Sequence, residues 1–235
     1  MIIRPVGDAL LFITQPDHAR LAADAISHWQ AEGFATHPRR AVILQAAREH
    51  DNGWIEEDAA THLDAQGAPL DFVNVPAHVR QRLWPRAVDR MAAQDPYAGA
   101  LIAQHALAVY SASRCDDGWH AFFETMRDRR EALLRQAQRE AGELEADYRF
   151  VHAADRISLA FCTGWAQPLE SYGRQIRGDG RRVEIAPDPF AGARVPLRID
   201  ARRLPTRAYG SAADLRAALD DAPVQPLEGE AIGVS

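Results

Sequence analysis

The sequence predicts a mainly α-helical protein, a bundle of about six helices with a small β element built from an N-terminal hairpin and C-terminal strands. Three observations point there. Apolar residues recur at helical spacing through the first 163 positions, and turn pairs such as Asn52-Gly53 and Asp95-Pro96 separate the runs. The composition then changes, for residues 164–235 hold 15 of the 29 Gly and Pro residues and none of the nine histidines. The expected organisation is a helical domain over 1–163, hairpin included, and a Gly/Pro-rich β and loop extension over 164–235 packed on it.

Met1–Ile3 and Ala9–Thr14 flank a Pro-Val-Gly-Asp turn and read as a short hairpin. Gln15-Pro16-Asp17 opens a first helix, whose apolar face is Leu21, Ala22, Ala25, Ile26 and Trp29. His18 falls in its first turn, on the buried side. The second helix runs from Arg40 to His50 with Val42, Ile43, Ala46, Ala47 and His50 on one stripe, so the His50 imidazole is expected inside. Residues 52–75 look polar and irregular, and a loop of that length beside His50-Asp51 is expected to wall a pocket. A third helix over Pro76–Gln94 is expected to kink at Pro85. Asp95-Pro96 starts a fourth helix carrying His105, Asp116-Asp117 a fifth reaching about Ala141, and Glu143 to Thr163 makes a sixth that holds Asp155. In the tail, Arg182–Ala186 and Val195–Ile199 alternate like strands closing on the hairpin, and Ser211–Leu219 reads as a short helix.

Bulk properties exclude several classes. With 47% hydrophobic and 26% charged residues the composition is that of a soluble globular protein, and a net charge of −6 argues against general affinity for nucleic acid. No stretch approaches the roughly 20 apolar residues of a bilayer span, and Arg4 and Asp8 interrupt the apolar N-terminus, which places the chain in the cytoplasm. All 27 basic residues are arginine. Cys115 and Cys162 lie in apolar helical surroundings and are expected as core thiols rather than a disulfide.

The doublet His50-Asp51 is the centre of the functional reading, because two metal-ligating residue types stand adjacent at the end of an apolar helix. Preceded by His18 and followed by Asp155, it gives an order that resembles the HD-domain metal-dependent phosphohydrolases. The resemblance implies that His18, His50, Asp51 and Asp155 hold a divalent transition metal. Two imidazoles and two carboxylates suit Mn, Fe, Co, Ni or Zn. Read structurally instead, Asp155 is a core carboxylate paired with Arg156 or another arginine. In the two-metal branch of that superfamily further histidines hold a second ion, a role open here to His105 or His120. His152, three residues before Asp155, is placed beside the ligands, and His28, His37, His62 and His78 at the surface or behind them.

Ile13-Thr-Gln-Pro-Asp-His-Ala-Arg-Leu-Ala22, Glu49-His-Asp-Asn-Gly-Trp54, Asp95-Pro-Tyr97 with Gln104-His105, and Ala154-Asp-Arg-Ile-Ser-Leu159 also resemble a bacterial family catalogued as domain of unknown function 3891. That likeness extends over nearly the whole chain and carries no activity. The functional expectation is a metal-dependent hydrolase of a phosphate ester or nucleotide, with Asp51, His105 or Glu49 handling protons and an arginine holding the phosphate. Its partner would be a small-molecule substrate, with neither nucleic acid nor membrane involved. The alternatives are an HD-type di-iron oxygenase and a binding or regulatory module without catalysis.

Overall fold

A computed structural model describes residues 1–235. The chain opens with β1 (Ile2–Val6) and β2 (Ala9–Ile13), joined at Gly7-Asp8, and enters α1 (Gln15–Ile26). Thr14 caps α1 by accepting the Asp17 amide at 3.1 Å. Then follow α2 (Arg40–Glu49), a single tight turn over Asn52–Trp54, α3 (Ile55–Ala60), α4 (Ala77–Ala92) and α5 (Pro96–Val109), whose cap Asp95 accepts from the amides of Tyr97 and Ala98 at 2.7 and 3.0 Å. Next come α6 (His120–Ala137) and the long α7 (Ala141–Thr163). Beyond them lie β3 (Leu169–Ser171), β4 (Arg174–Gly178), β5 (Arg182–Ala186), β6 (Arg194–Pro205), α8 (Ala212–Asp221) and β7 (Val224–Gly233).

The expected mainly helical bundle with a small β element is corrected by this arrangement. Helices make up 53% of the chain, and 20% lies in strands of one curled, mixed, seven-stranded sheet of order β1-β2-β6-β7-β5-β4-β3. The all-helical description fails with it. The alternation seen at Val195–Ile199 belongs to the first half of a twelve-residue strand, which runs on through Arg202 and Arg203 to Pro205. Strand β7 is not among the expected strands, and Pro226, Glu228, Gly229 and Glu230 are residue types with low strand preference. Its place is set by partners: β6 antiparallel from Arg194↔Ile232 to Arg202↔Val224, and β5 parallel. Cross-strand pairs of Glu228 with Arg198 at 3.0 Å and Glu230 with Arg194 at 2.9 Å add to that register. Residues 52–75 are likewise corrected, because they include α3, although the segment beyond it stays irregular.

One apolar cluster of 54 buried residues runs from the helices into the sheet, including Trp29, Trp84 and Phe161 together with Ile176, Val183, Leu197 and Ala231. Helix α7 is the element between the two layers. It packs on α1, α2 and α5 on one side and on β1, β3, β4 and β5 on the other. That approach is close enough to require Gly229, where a Cβ would stand 2.6 Å from the Phe161 ring and 2.0 Å from the Arg181 carbonyl oxygen. Pro85 lies inside α4, which continues through it, and Cys162 is buried as expected, whereas Cys115 is exposed. No helix is long and apolar enough to cross a membrane.

Candidate metal centre

Four buried side chains from separate positions of the helical layer converge. His18 comes from the first turn of α1, His50 and Asp51 from the end of α2, and Asp155 from the middle of α7; His18 and His50 have no exposed surface. His18 Nε2 lies 3.2 Å from Asp155 Oδ1 and 3.7 Å from Asp51 Oδ2, and His50 Nε2 lies 3.4 Å from Asp51 Oδ2 and 3.6 Å from Asp155 Oδ1. His18, His50 and Asp51 form one group able to hold a metal ion, and His50, His105 and Asp155 form another, with ligand atoms within 4.8 Å of one another in each.

The hydrogen bonds behind these rings fix what they present. His50 Nδ1 is 2.7 Å from the Ala47 carbonyl oxygen, which can only accept, so Nδ1 carries hydrogen. Its Nε2 is buried and has no hydrogen-bond partner. Ser158, on α7, has a single hydroxyl hydrogen and gives it to the His18 carbonyl oxygen at 2.8 Å. Nδ1 of His18, 2.7 Å from the same hydroxyl, must then donate to it, leaving the Nε2 lone pair toward the carboxylates. Two imidazole lone pairs and two carboxylates thus face one another with no donor among them. Such a centre requires positive charge, either a proton or a metal ion.

The electrostatics express the same need. Burial alone would lower His50, but Asp51 and Asp155 outweigh it and push the imidazole up to about 10. Burial opposes ionisation of both carboxylates, yet His50 holds Asp51 below the usual range and His18 with His50 holds Asp155 well below it. His105 behaves oppositely: burial and then the charge on His50 push it down to about 3, so it is neutral. Its Nδ1 is 3.0 Å from the Tyr148 hydroxyl. Asp155 is engaged by histidines and not by Arg156, which removes the arginine-paired reading of that carboxylate.

Above the cluster opens a cavity of about 110 Å³. Its lining includes His18, Asp51, His105 and Asp155, and Trp54 and Phe72 from the 52–75 segment form one wall as expected. Residue Trp165, just past α7, contributes from the tail. Glu49 is half-buried and not among the lining residues; its neighbour His50 points inward, and adjacent helical residues diverge by roughly 100°. His120 is exposed at the start of α6, away from the cluster. His152 pairs with the Ser171 hydroxyl at 2.8 Å, between Tyr148 and Tyr172. Ser158 and Tyr148 were missed by sequence reasoning. Ser158 had one available signal, its position three residues after Asp155 on the same face of α7.

Residues 1–206 match the family described as protein of unknown function (DUF3891). The chain belongs to the DUF3891 family. The match contains every residue of the cluster and runs to the end of β6, so α8 and β7 lie beyond the part of the chain that the DUF3891 family covers. No curated protein and no solved structure matches the chain.

Proposed function

We propose that His18, His50, Asp51 and Asp155 hold one divalent transition-metal ion and that the protein is a metal-dependent hydrolase acting on a phosphate ester, with the ligand order of HD-type centres. The observation that carries this reading is the buried, unpartnered His50 Nε2, with Nδ1 committed to Ala47 and two carboxylates within 3.6 Å. No hydrogen bond reaches that nitrogen, and the mixed nitrogen and oxygen donors around it match Mn, Fe, Co, Ni or Zn. A bound ion of this kind supplies Lewis acidity and a water acidic near neutral pH.

The chain's own residues would do the rest. Ser158 and the Ala47 carbonyl orient the two imidazoles, Asp51 and Asp155 bring the balancing charge, and neutral His105 offers a hydrogen-bonding ring at the cavity wall. One ion is favoured over two because both metal-capable groups share His50, and its ring has one free lone pair. The di-iron oxygenase and the non-catalytic module therefore stand as outcomes of the test.

Elemental analysis of protein purified without chelator, wild type beside Asp51→Asn, provides that test. One equivalent of Mn, Fe, Co, Ni or Zn in the wild type and a metal-poor, folded variant are expected. Two irons per chain would turn the reading to the oxygenase. Equal metal in both proteins, or none in the wild type after incubation with each ion, would overturn it.

A further inference from the structure

We infer that the cavity over the cluster recognises a small oxyanion group, a phosphate or a carboxylate, with Arg156 as its anchoring cation. The inference deepens the function proposed above and rests on it only for what lies beneath the anion. Arg156 follows Asp155 on α7 and lines the cavity half-buried. Its Nε is buried without a hydrogen-bond partner, and no carboxylate stands within ion-pair distance of its guanidinium. Other arginines, such as Arg80 and Arg86, also bury an unpartnered Nε, and what sets Arg156 apart is its place as the one arginine lining the cavity. A half-buried guanidinium left free beside a cavity is the fork that oxyanions bind in bidentate fashion.

Two more unsatisfied groups line the same space. Gln15 is 2% exposed with an unpartnered Oε1, and Trp84 is 1% exposed with an unpartnered Nε1. Gln15 can turn its amide to donate, and the indole only donates, so with Arg156 they form a donor set around one small volume. The volume limits the ligand. A cavity of about 110 Å³ has room for an oxyanion head beside the cluster, with the rest of the ligand outside it. The substrate's remainder would leave over Phe72 and Trp165, stacked at 6.1 Å with 25° between planes, where Trp165 is 39% exposed.

Asp51 and Asp155 put negative charge beneath the cavity, so an anion needs the Arg156 cation in order to bind there, and a metal ion held by the carboxylates strengthens that binding by offsetting their charge. Calorimetric titration with inorganic phosphate and, in a second arm, acetate tests this on wild type and Arg156→Gln, each with chelator and with excess Mn, alongside Mn equivalents for both proteins. The expected result is saturable binding by the wild type, strengthened by Mn, and a loss of about tenfold to a hundredfold in Arg156→Gln with its Mn equivalents unchanged. Preference for phosphate identifies a phosphoryl head, and preference for acetate a carboxylate. Equal affinity in Arg156→Gln, or no binding of either anion by the wild type, overturns the inference. Absence of Mn from the wild type contradicts the metal reading alone, since dependence on Arg156 is then still read in the chelator arm.

Discussion

Ser158 decides which nitrogen His18 offers to the centre. Without its hydroxyl the Nδ1 hydrogen loses its acceptor and the ring is free to rotate or change tautomer. Ser158→Ala is expected to weaken Mn affinity about tenfold to a hundredfold, with a stability loss of only about 1 kcal/mol. An Mn titration of the variant at wild-type affinity would leave Ser158 a packing residue. The members of the cluster are legible in the sequence for stated reasons: His18 by its spacing from Leu21, Ala22 and Ala25, His50 by its place on an apolar stripe, and Asp155 by apolar neighbours no lone carboxylate tolerates. Ser158 is not, because a helical serine ordinarily bonds its own backbone and carries no signal of an inter-helix partner. Glu49 was over-read from adjacency in sequence.

At the level of elements, two buried carboxylates tie helices of this layer to one another, and the first of them joins helices that bring residues to the cluster. Asp147 on α7 accepts from Arg39 Nη2, just before α2, at 3.0 Å and from the Tyr97 hydroxyl, in the first turn of α5, at 2.8 Å. The three helices it joins carry His50, His105 and Asp155. Glu57 on α3 is clamped by Arg82 and Arg86 of α4 at 2.6 and 2.5 Å. Burial opposes its ionisation, but the two guanidinia prevail and lower Glu57 to about 2. A carboxyl whose folded pKa lies below its unfolded value of roughly 4.5 stabilises the fold above that pH and ceases to do so as pH falls through about 2. Urea melts between pH 5 and 2 should therefore show wild-type stability declining more steeply than that of Glu57→Gln; parallel curves would contradict the clamp. The strands were the least legible elements. In β7 the sequence supplies glycine, proline and glutamates, and strand conformation comes from β6, β5 and the arginines opposite, none of which local periodicity registers.

Across the whole molecule, sheet and helices share one core, so damage far from the centre should lower stability without touching metal content. Phe190, in the tail, is buried edge-to-face against Trp29 of the helical layer at 6.0 Å. Phe190→Ala is expected to cost about 3–5 kcal/mol in denaturant unfolding with Mn stoichiometry intact. Metal loss at wild-type stability would mean that the tail shapes the centre. The centre, in turn, couples to the entire fold, since α1, α2 and α7 each bring side chains to the cluster and an ion that binds only the native state would stabilise it by mass action, about 2.7 kcal/mol at a hundred times Kd. The decisive measurement is thermal melting of wild type and Asp155→Asn, each with chelator and with excess Mn. Mn should raise the wild-type melting temperature and leave that of Asp155→Asn nearly unchanged. An Mn-induced rise as large in the variant as in the wild type would contradict a metal centre built on Asp155.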